Sequence, residues 1–145
     1  MKTFFLAAAL AVTATTFASA ETWLTDYKAA SAKAKAENKP LLMDFTGSDW
    51  CGWCMKLDRE VFDTPEFKDY ADKNLVLLKL DFPKKKSQAP HEKKQNEELA
   101  QRYGIQGFPT IIVLNSGGKA VGKLGYTEGG PGAFIKKLES KTKGK

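Results

Sequence analysis

Two cysteines, one histidine and two arginines are all that this 145-residue chain holds of those residue types, and each scarcity removes a class of function. A domain stapled by several disulfides is excluded, because Cys51 and Cys54 are the only thiols and stand two residues apart. A closed zinc site needs four ligands, which two cysteines and the distant His91 cannot supply. Covalent haem attachment through C-x-x-C-H fails because Met55 stands where the histidine belongs. His91 itself, in Pro90-His91-Glu92-Lys93 at a helix start, reads as a solvent residue without a role. Arginine is confined to Arg59 and Arg102, so the net charge of +6 is carried by lysine. The runs at 84–86 and 93–94 and the tail at 141–145 have no interleaved aromatics and match no nucleic-acid motif, so their expected role is solvation.

Long apolar runs are also missing, except at the N-terminus. Met1-Lys2 precedes an apolar stretch over 4–12, then small and hydroxylated residues ending in Ala18-Ser19-Ala20. This is the pattern of a secretory signal peptide with an A-x-A cleavage site, and Thr13, Thr15 and Thr16 make the segment a poor membrane span. We expect residues 1–20 to be removed and residues 21–145 to form one domain of 125 residues with a net charge of about +5, since Lys2 is lost with the leader. The compartment implied is periplasmic or extracellular, where thiols tend to pair.

What the chain does have is Trp50-Cys51-Gly52-Trp53-Cys54. A C-x-x-C pair opening a helix sets its first sulfur near unpaired N–H groups, which favours thiolate, and its second within bonding distance one turn on. The first can attack a disulfide and the second resolve the mixed disulfide, although a structural disulfide or half of a metal site uses the same spacing.

The rest alternates helix and strand. Residues 25–37 are alanine- and lysine-rich and stop at Asn38 and Pro40, which predicts a helix. Residues 41–45 form a continuous apolar run broken only by Asp44, as a central buried strand would. Helical spacing follows Cys54 through Leu57, Val61 and Phe62, and Thr64-Pro65 starts another helix with Thr64 as its cap. A second strand over 75–80, a lysine-rich loop over 82–90 and a helix over about 92–103 come next. Residues 109–114 and 119–124 flank Asn115-Ser116-Gly117-Gly118 as a hairpin, and a terminal helix carries Phe134, Ile135 and Leu138.

This order, together with Met43-Asp44-Phe45, the C-x-x-C segment, Tyr103-Gly104-Ile105-Gln106-Gly107-Phe108-Pro109-Thr110 and Gly125, resembles the thioredoxin family over most of the chain. The resemblance implies an α/β thioredoxin fold, a central mixed sheet flanked by helices. Cys54 followed by Phe62 and Pro65 resembles, more narrowly, the C-terminal periplasmic domain of the thiol:disulfide interchange protein DsbD and exported single-domain thioredoxin-like proteins. It implies Cys51 as nucleophile and Cys54 as resolving thiol, with Trp50 and Trp53 as an apolar rim. Pro109 would follow a cis bond, so that Gly107, Phe108 and Pro109 expose backbone to a substrate peptide.

Two departures accompany the resemblance. Gly52-Trp53 replaces the usual Gly-Pro, so no redox potential carries over, and the loop between Asp44 and Cys51 is one residue longer. Asp44, with Lys79 in the position of the family's accompanying lysine, is either a proton relay to Cys54 or half of a buried ion pair without a catalytic part.

The function expected is an exported thiol-disulfide oxidoreductase that reduces disulfides in other envelope or secreted proteins. No cofactor or metal is implied, and no nucleic acid. The partners expected are protein disulfides and a membrane-bound electron donor, and the protein is expected to act as a monomer. A disulfide oxidase or isomerase, and a non-catalytic interaction domain on the same fold, are the alternatives.

Overall fold

Strand β1 (Leu41–Thr46) is buried at all six positions, which a strand achieves only with neighbours on both edges and a layer over each face. The computed structural model of the chain describes residues 22–143; the expected leader, residues 1–20, lies outside them. Parallel strand β2 (Val76–Asp81) pairs with one edge of β1 and antiparallel β3 (Thr110–Leu114) with the other. Strand β4 (Ala120–Leu124) closes a hairpin with β3, giving the order β2-β1-β3-β4. Beyond β2, Leu24 adds a single parallel bridge to Leu78, its N–H donating to Leu77 O at 2.9 Å and its carbonyl accepting from Lys79 N at 2.8 Å.

The helices form where caps permit. Helix α1 (Tyr27–Glu37) begins at Asp26, whose carboxylate accepts from Ala29 N at 2.7 Å, and ends at Asn38, left-handed at φ 51°. Helix α2 (Gly52–Leu57) runs directly into a π-helical turn at Asp58–Phe62, where Asp63 N donates to Asp58 O at 2.8 Å. Nothing in the residue pattern announces this wider turn. Helix α3 (Pro65–Asn74) is capped by Thr64, whose hydroxyl accepts from Phe67 N at 3.3 Å, with Pro65 at its first position. Helix α4 (Pro90–Arg102) also starts on a proline, two residues before the expected start, because Pro90 fits a first helical position without losing a hydrogen bond. Helix α5 (Gly130–Thr142) ends the fold.

Alternation along β1 and β2 divides the core in two. Leu41, Met43 and Phe45 meet Val76, Leu78 and Leu80 on the face covered by α1 and α4. Leu42 and Leu77 face the opposite layer, where Leu57, Phe62, Phe67 and Phe134 pack, with ring centroids of the three phenylalanines 5.0 to 6.0 Å apart. By the same alternation Asp44 and Lys79 point into the layer that holds α2. The expected mixed sheet flanked by helices is therefore the observed architecture, and it carries the C-x-x-C helix at the C-terminal end of the central strand.

Candidate active site

Between β1 and α2 the chain turns on Gly47, whose carbonyl accepts from Cys51 N at 2.9 Å. A side chain there would strike the Trp50 indole, with a Cβ 2.5 Å from Trp50 Cε2. The turn delivers Cys51 as the N-cap of α2, and its Sγ accepts from Cys54 N at 3.2 Å. Cys51 and Cys54 are joined as a disulfide with their Cα atoms 5.3 Å apart. Cys51 is 6% exposed and Cys54 2%, so the first cysteine is the more exposed residue of a well-covered pair. On reduction, the N–H already aimed at Cys51 would stabilise a thiolate there.

Asp44 lies beneath this layer, 1% exposed, and its Oδ1 has no hydrogen-bond partner. Loss of hydration pushes its carboxyl up to about 7, and Lys79 offsets part of that rise while Asp58 and Asp81 add to it. Lys79 sits directly opposite Asp44 in the parallel register, but its ion-pair partner is Asp58, 3.9 Å away, and its ammonium lies 4.9 Å from the Trp23 ring centre. The buried Asp44–Lys79 ion pair weighed from the sequence is thus replaced by a Lys79–Asp58 pair nearer the surface, which leaves Asp44 to titrate near neutrality. Asp58 is a further titratable residue beside the site, and its only sequence signal is its place four residues after Cys54, on one helix face. Burial raises its carboxyl above the ordinary range as well.

The two tryptophans have different settings. Trp50 is half-buried: its indole N–H donates to Phe82 O at 2.7 Å and its ring meets Phe108 edge-on at 5.8 Å. Trp53 is 57% exposed, the one large apolar side chain so exposed among the described residues. It leans on Tyr126 at 5.0 Å, and Lys56 stands 5.0 Å from both ring centres. Tyr126 donates to Glu60, and that bond raises the phenol's pKa.

In the loop that leads into β3, the Phe108-Pro109 bond is cis and Gly107 is exposed. The Thr110 hydroxyl donates to Gly107 O at 2.7 Å, fixing this turn. Phe108 lies between Trp50 and Phe82, and Gly125 passes close enough that a Cβ would stand 3.9 Å from Pro109 O. Trp50 and Phe108 therefore meet, with Gly107 and Pro109 flanking Phe108 in the chain, Trp53 forms a separate exposed platform with Tyr126, and Asp44 and Lys79 lie on the sheet face toward α2. His91 is exposed.

Another feature had no sequence signal. Asp49 accepts from three successive backbone N–H groups, of Lys84 at 3.0 Å, Lys85 at 2.8 Å and Lys86 at 3.1 Å, so the lysine turn is tied to the loop that carries Trp50 and Cys51. These bonds, that from Lys84 foremost, hold the Asp49 carboxyl below its ordinary value. Asp81 supplies a second tie, accepting from Ser48 N at 2.9 Å and Ser48 Oγ at 2.6 Å.

A family model described as a thioredoxin-like domain matches residues 27–141. The disulfide bond reductase DsbH of Chlamydia pneumoniae is 35% identical over 117 residues, which cover 81% of this chain and 70% of that protein. A solved structure of a DsbH oxidoreductase matches with a TM-score of 0.81 at 32% identity, over 97% of this chain and 96% of the other. The reduced C-terminal domain of DsbD from Neisseria meningitidis matches with a TM-score of 0.60 at 25% identity, over 79% of this chain and 92% of that one.

Proposed function

We propose that this chain, which belongs to the thioredoxin-like family and is a thiol-disulfide oxidoreductase, works in the reducing direction on disulfides of other exported proteins. The observation that carries the reading is the Cys51–Cys54 pair at the start of α2, one sulfur capping the helix and the other buried behind it.

The cycle is balanced by the dithiol alone. The Cys51 thiolate attacks one sulfur of a substrate disulfide, forming a mixed disulfide and releasing the other substrate sulfur as a thiolate. Cys54, losing its proton, attacks Cys51 Sγ; the mixed disulfide breaks, the second substrate thiolate leaves, and the Cys51–Cys54 disulfide remains. Two electrons have then passed to the substrate, whose two thiolates take up protons from solvent. Asp44, a buried acid that titrates near 7, is the group suited to accept the Cys54 proton.

Trp50, Trp53, Gly107, Phe108 and Pro109 form the surface against which the substrate peptide lies. The exposure of Gly107 supports pairing of this backbone with an extended substrate strand. Restoring the dithiol requires an external dithiol donor. With a leader over residues 1–20 and export as its consequence, that donor belongs at the membrane, in keeping with the resemblance to DsbD. Among the described residues no helix is long and apolar enough to cross a membrane.

The test is turbidimetric reduction of insulin disulfides with dithiothreitol as the electron source. Catalysis well above the dithiothreitol background is expected, abolished in Cys51→Ser. A rate equal to that background would leave only a non-catalytic binding role.

A further inference from the structure

A groove of about 690 Å³ opens against Trp50, and its lining divides by chemistry. The apolar part is Trp50, Phe82 and Phe108, held as a unit by the ring contacts at 5.8 and 5.1 Å and by the Trp50 indole bond to Phe82 O. The rest of the lining carries three lysines, Lys84, Lys86 and Lys93, against one acid, Glu97, with the uncharged Pro83, Ser87 and Gln88 beside them. Lys86 lies 3.3 Å from Asp81 and Lys93 3.9 Å from Glu97, so those charges are partly answered within the molecule. Lys84 has no ion-pair partner among the described residues, and its ammonium rests 3.7 Å from the centre of the Trp50 ring.

The lysines are not on a free loop. Asp49 fixes the backbone of the turn at three successive N–H groups, and Gln88 and Asn96 donate to Asp81 O at 3.0 and 2.9 Å behind it. A cation presented on a fixed turn costs less ordering when a partner arrives than one on a mobile loop. The Asp49 carboxylate is committed to those backbone donors.

We propose that this groove docks an acidic segment of the partner polypeptide: an apolar residue near the attacked cysteine on the Trp50, Phe82 and Phe108 floor, with an adjoining Asp or Glu against Lys84 and Lys93. The inference rests on the reading of the chain as a disulfide reductase and names a class of substrate for it. Complementary charge raises the encounter rate and selects among partners, and salt screens it.

Two synthetic peptide disulfides, identical except that the residues beyond an apolar neighbour of the cysteine are glutamate in one and lysine in the other, test the proposal in stopped flow with the reduced protein. At about 20 mM salt the glutamate peptide should react about tenfold faster, and at about 0.5 M the two rates should converge. The variant carrying Lys84→Glu and Lys93→Glu should reverse the order at low salt. Equal rates at low salt, or an unchanged order in a folded variant, would overturn the docking proposal and leave the reductase reading standing. Failure to reduce either peptide would overturn that reading and the docking with it. If the variant does not fold, the salt series on the native protein decides alone.

Discussion

Asp44 is the residue at which opposing effects are most nearly balanced. Its carboxyl rises from an ordinary 3.8 to about 7, which corresponds to about 4 kcal/mol of native preference for the neutral acid, an order-of-magnitude figure. The folded protein therefore binds the proton more tightly than the unfolded chain. That contribution to stability is fully present below about pH 4 and is lost as pH rises through about 7. Asp44→Asn should therefore stabilise the disulfide form at pH 8 by about 1 to 4 kcal/mol in urea melts and should lose that advantage as pH falls toward 4. If Asp44 also accepts the Cys54 proton, the same variant should slow resolution of the mixed disulfide and flatten its pH dependence near 7. A stabilised variant with an unaltered resolution step would assign Asp44 a structural part only. The cysteines carry a second residue-level expectation. In the reduced protein Cys51 should be alkylated before Cys54, because it caps the helix and is the more exposed of the two. Mass mapping that finds Cys54 modified first would exchange their roles.

The elements around the sulfurs are held by contacts between segments more than thirty residues apart. Gly47→Ala would press a methyl group into the Trp50 indole and break its bond to Phe82 O, a steric overload of the kind that costs about 1 to 3 kcal/mol. Loss of stability together with a changed tryptophan fluorescence is expected; an unchanged spectrum would mean that the indole does not need the space. Asp49→Ala would release three N–H donors of the lysine turn, so amide exchange at Lys84, Lys85 and Lys86 should quicken while β1 stays protected. These ties also explain what could be read in advance. Helices α1 and α3 and the β3–β4 hairpin were legible because their caps and turn residues are local: Asn38 before Pro40, Thr64 before Pro65, Asn115 to Gly118. The π-helical turn after α2 was not, since one extra residue per turn leaves the apolar spacing of Leu57, Val61 and Phe62 unchanged. Nor was the use of Asp49, whose partners lie some 35 residues downstream, or the diversion of Lys79 from Asp44 to Asp58. Pairwise side-chain choices of that kind depend on packing that no local pattern encodes.

At the scale of the whole molecule, the sheet order β2-β1-β3-β4 sets the dithiol at the end of its most buried strand, with an aromatic rim above and titratable carboxyls below. The residues between the cysteines, Gly52 and Trp53, bring no charge to a Cys51 thiolate, and Trp53 adds an apolar surface. A strong oxidant of this fold needs a very stable thiolate, and here the support comes from the start of a short helix. The direction of electron flow is therefore read most directly from the equilibrium reduction potential of the Cys51/Cys54 couple, measured against glutathione with the full folded domain. A reductant should lie below about −180 mV and close to about −270 mV, whereas a potential near about −120 mV would make the protein an oxidase and reverse the direction proposed for it.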